Sequence, residues 1–207
     1  MATQIKPGHS ESGNEKREMM TRVKEGPSST RFFIPVEFVL RAAAMGATLA
    51  AAIVMVTSKQ TVLVPVPVFS NSPPILLPLP SKYHYSPAFV YFVVANAVAC
   101  GYALLSIIII TCKLKGSVSS VFSAWLLSIT DLVMVALVLS GASAATAIGY
   151  VGWKGNSHLN WGKVCNIYDT FCIRVAAAVV VSFIGIIVFI VLILMSVSTL
   201  YQHTKVR

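Results

Sequence analysis

Residues Ile173–Thr199 read IRVAAAVVVSFIGIIVFIVLILMSVST, and Arg174 is their one charged residue. The hydrocarbon core of a bilayer is about 30 Å thick, and a helix needs about 20 consecutive apolar residues to cross it. This stretch exceeds that length. Three more blocks meet it, near Val36–Thr57, Ala88–Thr111 and Val121–Ala147. The 207 residues are 56% hydrophobic and 11% charged, with a mean hydropathy of +0.78. A soluble domain carries about 25% charged residues. Little apolar material remains outside the four blocks for a soluble core. The pattern predicts an all-α membrane protein, a four-transmembrane-helix bundle with cytoplasmic N- and C-termini. Residues 1–33 are expected to be a disordered cytoplasmic tail, 34–201 the membrane domain, and 202–207 a second cytoplasmic tail.

The orientation follows from lysine and arginine, which favour the cytoplasmic face. One side holds Lys6, Lys16, Arg17, Arg22, Lys24, Arg31, Lys113, Lys115, Lys205 and Arg207. The other holds Lys59, Lys82, Lys154, Lys163 and Arg174, spread over longer loops. The net charge of +9 is thus mainly a topology signal. No soluble module is present that would bind nucleic acid, and attraction of the basic tail to anionic inner-leaflet lipids is a secondary expectation. The polar start of the chain lacks the short apolar stretch of a secretory signal, and no glycine follows Met1 for myristoylation. Ser10, Ser12, Thr21, Ser28, Ser29 and Thr30 are candidates for phosphorylation; the plainer reading is a solvated linker.

The first outer loop, Ser58–Pro87, contains seven of the ten prolines. Proline fixes φ and lacks an N–H, which excludes regular helix. The Val-Pro-Val-Pro and Leu-Pro-Leu-Pro runs predict extended, partly polyproline segments near the membrane surface. Tyr83, Tyr85, Phe89 and Tyr91 are expected at the outer interface, where amphipathic rings prefer to sit. The short connection Cys112–Ser120 makes the second and third helices antiparallel neighbours. The third block continues as Gly141-Ala-Ser-Ala-Ala-Thr-Ala, which predicts a helix extending past the outer headgroups.

Two charges stand inside the apolar blocks: Arg41 in the first and Asp131 in the third. Glu37 lies one helical turn before Arg41, close to the inner interface. An ionised group in the bilayer costs about 2.5–3.5 kcal/mol even on the lenient insertion scale. Opposite charges in the same half of neighbouring helices reduce that cost by pairing. The residues therefore read either as a structural pair that sets helices one and three in register or as a proton or ion path. A path normally needs more polar residues than the Ser, Thr and Asn96 available here. Ala42, Gly46 and Ala50, four apart, form a small-residue face that allows close helix approach, either inside the bundle or between copies.

Cys165 and Cys172 precede the fourth helix in an outer, oxidising compartment. A disulfide would close a small ring, worth about 2.5 kcal/mol in the chain-entropy model; the alternative is two free thiols. Cys100 reads as a buried core residue, and Cys112 as a candidate for S-palmitoylation at the inner end of helix two. The histidines His9, His84, His158 and His203 are scattered, with no metal-ligand spacing. No nucleophile elbow, phosphate-binding loop, zinc motif or dinucleotide fingerprint is present. The expectation is a non-enzyme with no catalytic, cofactor-binding or metal residues.

Arg41, Asp131 and the outer segment Trp161-Gly-Lys-Val-Cys165-Asn-Ile-Tyr-Asp-Thr-Phe-Cys172 together resemble the plant Casparian strip membrane domain protein-like (CASP-like) family. The resemblance covers roughly residues 33–201. The Trp…Cys…Tyr-Asp-x-Phe-Cys run is its most specific part and is similar to the first CASP-like subfamily. An intramembrane Arg and Asp in these two helices are shared by that family and its distant MARVEL-domain relatives. The resemblance implies a multi-pass plasma-membrane protein forming homodimers, heterodimers with related four-helix proteins, or larger scaffolds. In the Casparian strip members, such scaffolds organise a membrane domain and recruit lignin-polymerising machinery. Those members carry an aromatic- and acid-rich first outer loop, whereas the loop here is proline-rich and non-acidic. The implied role is thus the more general one, a membrane-domain organiser that recruits cell-wall-modifying partners. A small transporter or channel using the Arg41–Asp131 pair is the alternative. Claudins and tetraspanins share the topology, but the claudin Trp and Cys in the first outer loop and the tetraspanin Cys-Cys-Gly motif are absent.

Overall fold

The computed structural model describes residues 28–66, 75–114, 120–159 and 161–205. Four helices dominate: α1 (Ser28–Thr57), α2 (Pro87–Leu114), α3 (Ser120–Lys154) and α4 (Asp169–Lys205). Between α1 and α2 stand two strands, β1 (Lys59–Val66) and β2 (Ile75–Lys82). By contact the chain divides into two units, Met1–Phe38 and Val39–Arg207. Of the first, the structure describes the opening turns of α1, with Pro35 inside the helix. The second contains the remainder of α1 and all that follows. All four helices are long and apolar enough to cross a membrane, which makes this an all-α, four-span membrane protein.

All four helices begin earlier than the apolar blocks alone predict; α1 ends at Thr57 as expected, and the other three end later. α1 starts at Ser28 rather than near Val36, so residues 28–33 are helix instead of a disordered tail. Proline removes one donor and crowds one carbonyl, and residues upstream of it can still be helical. α3 runs on through its small-residue continuation to Lys154, and α4 reaches Lys205, inside the expected C-terminal tail. Hydropathy marks only the part of a helix that sits in lipid, whereas hydrogen bonding carries the helix into water. At 1.5 Å per residue the 35 residues of α3 extend about 50 Å, well beyond the apolar core. The tail residues Lys6, Ser10, Ser12, Lys16, Arg17, Thr21, Arg22 and Lys24, along with Lys115 and Arg207, lie outside the described residues. So do the side chains of Ser28, Ser29, Thr30, Arg31, Lys113 and Lys205.

The proline-rich loop differs in kind from its expectation. Its described parts form an antiparallel pair, with Lys59 opposite Lys82 and Val66 opposite Ile75; Pro67, Pro73 and Pro74 lie outside the described residues. The register explains how the other prolines fit. Pro65 faces Leu76, Pro78 faces Leu63 and Pro80 faces Thr61, so all three fall on the same alternate set of pairs. Proline has no N–H to give, so that set is the non-hydrogen-bonded one, and the alternating pairs carry the ladder.

Inside the bundle the buried residues follow helical spacing. Arg41, Ala44, Thr48, Ala51 and Met55 line the inner face of α1, and Phe92, Ala95, Ala99 and Ala103 that of α2. Leu127, Asp131, Val138, Ala142 and Ala145 do so on α3, and Ala178, Ser182, Phe189 and Leu192 on α4. The many alanines suit a membrane interior, where close packing replaces hydrophobic burial as the force between helices. Two glycines mark the nearest approaches. A Cβ on Gly141 would lie 3.2 Å from the Ala95 Cβ and 3.3 Å from the Phe92 Cα, where α2 crosses α3. One on Gly185 would lie 3.4 Å from the Thr48 methyl and 3.5 Å from the Ala47 Cβ, where α1 meets α4. Outward stand large apolar side chains such as Leu105, Ile108, Leu132 and Leu194, as expected where lipid is the solvent.

Candidate functional site

The charges of α1 and α3 lie on the buried stripes of their helices. Arg41 precedes Ala44 and Thr48 on one face; Asp131 lies between Leu127 and Val138 on another. Both are completely buried. The guanidinium grips the carboxylate with two parallel bonds, Arg41 Nη1 to Asp131 Oδ1 at 3.2 Å and Nη2 to Oδ2 at 3.1 Å. This fork-to-fork geometry gives specificity as well as attraction.

A third helix joins them. The hydroxyl of Tyr102 on α2 stands 2.7 Å from Asp131 Oδ1 and 3.2 Å from the Leu127 carbonyl. A phenol has one proton to donate, and the shorter contact, to a charged acceptor, is the stronger. The Tyr102 ring faces Phe189 of α4, with centroids 6.3 Å apart. One carboxylate therefore holds α1, α2 and α3 together, with α4 packed against the clamp. Sequence reading found Arg41 and Asp131 and missed Tyr102. Its signal was present: a tyrosine in the middle of an apolar block must find a partner for its hydroxyl.

Further along α2 a second polar contact reaches α4. Ser182 Oγ donates to Asn96 Oδ1 at 3.0 Å, while Asn96 Nδ2 donates to the Phe92 carbonyl at 2.9 Å. Both residues are buried. Asn96 and Tyr102 are six residues apart on α2, so the two polar layers are about 9 Å apart along the axis. A neutral hydrogen bond between helices, such as Ser182 to Asn96, contributes about 0.6 kcal/mol on average in a membrane bundle. The chief effect of the two layers is to fix which helix faces which.

The connection between α3 and α4, residues 155–168, is tightly built. Gly155, with φ of +71°, ends α3 in the left-handed conformation that glycine adopts without strain. A Cβ there would meet the Trp161 carbonyl at 2.7 Å. Asn156 and Trp161 exchange backbone hydrogen bonds at 3.0 Å in each direction. Cys165 and Cys172 form a disulfide, their Cα atoms 5.7 Å apart. Tyr168 donates its hydroxyl proton to the Leu79 carbonyl of β2 at 3.2 Å. Gln60 of β1 accepts the Phe171 N–H at 2.8 Å, satisfying one of the free donors at the start of α4. The strand pair is thereby fastened to the end of the bundle, a link that the sequence pattern did not indicate.

The remaining expected residues separate by environment. Ala42 is half-buried, but Gly46 and Ala50 face outward, and among the described residues nothing lies within 4 Å of a Cβ built on Gly46. The packing inside the bundle uses Ala44, Thr48 and Gly185 instead. Cys100 is buried and Cys112 exposed. Of the four aromatic residues expected at the interface, Tyr85 and Tyr91 are exposed, but Phe89 is buried against Phe171, with ring centroids 6.2 Å apart. Tyr83 is half-buried and packs on the core.

Comparison with known proteins agrees with this construction. A family model described as the Casparian strip membrane protein domain matches residues 31–188. CASP-like protein 1E1 of Ricinus communis is 44% identical over 193 residues, covering 93% of each chain. CASP-like protein 1E1 of Glycine max is 43% identical over 168 residues, 81% of this chain and 88% of its own. CASP-like protein 1D1 of Arabidopsis lyrata subsp. lyrata is 40% identical over 169 residues, 82% of this chain and 84% of its own. No solved structure matches the chain. A membrane bundle with an Arg41–Asp131 clamp and a disulfide-tied connection, matched across nearly its whole length, belongs to the CASP-like family of plant membrane proteins, in its 1E subfamily.

Proposed function

We propose that this protein is a non-enzymatic plasma-membrane scaffold, which acts by lateral assembly with its own copies and with related four-helix proteins. The observation that carries the reading is the outward face of α1. Gly46 and Ala50 stand exposed, with room beside Gly46 where another helix can come close. Helix association in lipid relies on such small-residue contact. The charge pair supports a structural role over a relay. Its carboxylate is held by two guanidinium bonds and a phenol, in a site with both ions fully buried. Both termini lie on the cytoplasmic side in this reading, because lysine and arginine concentrate there. Such a scaffold would gather cell-wall-modifying partners at its outer face.

The test uses two tagged copies co-expressed in plant membranes, with energy transfer and co-purification as readouts. Wild type should associate, and Gly46→Leu should reduce association while leaving the monomer folded. A wild-type protein that diffuses as a monomer at native expression levels would overturn the reading.

A further inference from the structure

An apolar groove of about 1080 Å³ runs between α3 and α4 at the disulfide end. Its size is slightly above the range of ordinary ligand pockets, about 300–1,000 Å³. One wall is α3 through Ala145, Gly149 and Trp153; the other is α4 from Asp169 to Phe183. Trp161 and Cys165 of the connection line its end.

Its depth is informative. The spanning part of α4, Asp169–Tyr201, has 33 residues and so is about 50 Å long, about 20 Å more than the hydrocarbon core. Asp169, Arg174 and, on α3, Lys154 place the groove's upper part at headgroup level, since charged groups avoid the hydrocarbon. Trp153 and Trp161 are exposed there, as aromatic residues are at an interface. Lys154 Nζ lies 4.5 Å above the Trp153 ring. The lower part is lined by Val179, Val180 and Phe183, of which Phe183 is about 14 Å deeper along α4 than Arg174. The groove therefore passes from the polar interface into the hydrocarbon of one leaflet, and the hydroxyl of Thr146 in its α3 wall is satisfied by the Ala142 carbonyl at 2.7 Å. The connection lines its end, so a second membrane-crossing helix lacks a through path, whereas a flexible chain entering from the leaflet does not need one.

We propose that this groove is a lipid site, holding one acyl chain of a glycerophospholipid from the leaflet on the disulfide side, with the headgroup beside Trp153 and Trp161. The disulfide and the bonded pair Asn156–Trp161 keep the end of the groove in place, so it is formed before the lipid enters. The proposal is independent of lateral assembly: it concerns a different face, and a monomer would bind the chain equally well.

The experiment reconstitutes the full chain in phosphatidylcholine nanodiscs doped with a phosphatidylcholine that has a photoactivatable diazirine midway along one acyl chain. After irradiation, labelled peptides are mapped by mass spectrometry. Label should concentrate on 145–153 and 175–183, several-fold above Leu105 and Ile108 on the lipid-facing side of α2. Gly149 lines the groove, and among the described residues nothing lies within 4 Å of its built Cβ. Gly149→Trp should therefore fill the space and remove the excess label, with Ala176→Trp as a second filler should the first not fold. Gly101→Trp, on an exposed position away from the groove, should leave the pattern unchanged. Labelling no higher than on α2, or equal labelling in the filled variants, would overturn the lipid site. So would cross-links between copies at these peptides in place of lipid adducts.

Discussion

Tyr102 on α2 donates a hydrogen bond to Asp131 on α3, 2.7 Å from hydroxyl to carboxylate oxygen, at the same oxygen that receives Arg41 Nη1. A lone ion pair in an apolar bundle leaves lone pairs of the carboxylate unsatisfied. The phenol takes one of them and brings a third helix into the contact. The charge pair is thus the centre of the bundle's specificity and not a feature of α1 and α3 alone.

Removing the phenol hydroxyl should therefore be costly though not fatal. A hydrogen bond to a charged group contributes about 1.5–3 kcal/mol, so Tyr102→Phe should lower stability by about that amount while keeping the ring on Phe189. Arg41→Ala and Asp131→Ala should each cost more, about 3–5 kcal/mol, because each leaves a buried charge without its partner. The double variant should cost clearly less than the sum of the two. The measurement is denaturant or thermal unfolding of purified protein in detergent, and additive losses would refute the coupling.

Much of this was legible in the sequence, and the reasons are physical. An ionised side chain in a 20-residue apolar block is rare and expensive, so Arg41 and Asp131 announce themselves, and opposite signs suggest their pairing. Tyr102 carries no such charge, and a phenol in an apolar block resembles packing until its neighbour is known. The four spans were legible because hydropathy reports lipid contact, but their ends were not, because helical hydrogen bonding continues into water at Lys154 and Lys205. The strand pair was hidden by its prolines. Only the pairing register shows that Pro65, Pro78 and Pro80 share the positions where no N–H is required. Nor could composition place Gly46 outside and Gly185 inside, since both are glycines in spanning helices and only the neighbours distinguish them.

The disulfide should resist alkylation. In protein alkylated without reductant, mass spectrometry should find Cys165 and Cys172 joined and Cys112, exposed, modified. Replacing both by serine removes an eight-residue ring worth about 2.5 kcal/mol by chain entropy. Unfolding in detergent under non-reducing conditions should move by about that amount, and wild type with reductant should match the variant. Free alkylation of both cysteines would exclude the bond.

Gln60 should matter locally. Its side chain accepts the Phe171 N–H at the start of α4, and loss of such a cap costs about 1 kcal/mol. Gln60→Ala should speed amide exchange at Phe171 and expose the strand pair to protease, with little change in global unfolding. Unchanged exchange at Phe171 would show that the contact does not cap the helix.

The glycines offer the sharpest separation of folding from assembly. Gly141 and Gly185 stand where two helices nearly touch, with neighbouring atoms 3.2–3.3 Å and 3.4–3.5 Å from where a Cβ would be. A leucine at either place must push the helices apart. Overpacking of this kind typically costs about 1–3 kcal/mol, occasionally more, and at Gly141 the nearest atoms include backbone, which cannot rotate away. Gly46 is on the same helix as Thr48 but faces out, with no described neighbour within 4 Å. Gly46→Leu should therefore unfold at the wild-type temperature in detergent, whereas Gly141→Leu and Gly185→Leu should melt earlier, Gly141→Leu most. In membranes the order reverses: Gly46→Leu should lose energy transfer between tagged copies, since its side chain occupies the space a second helix would use. A Gly46→Leu variant that assembles like wild type would move the contact to another face. One that fails to fold would mean that Gly46 packs within the bundle after all, and lateral assembly would lose its main structural support.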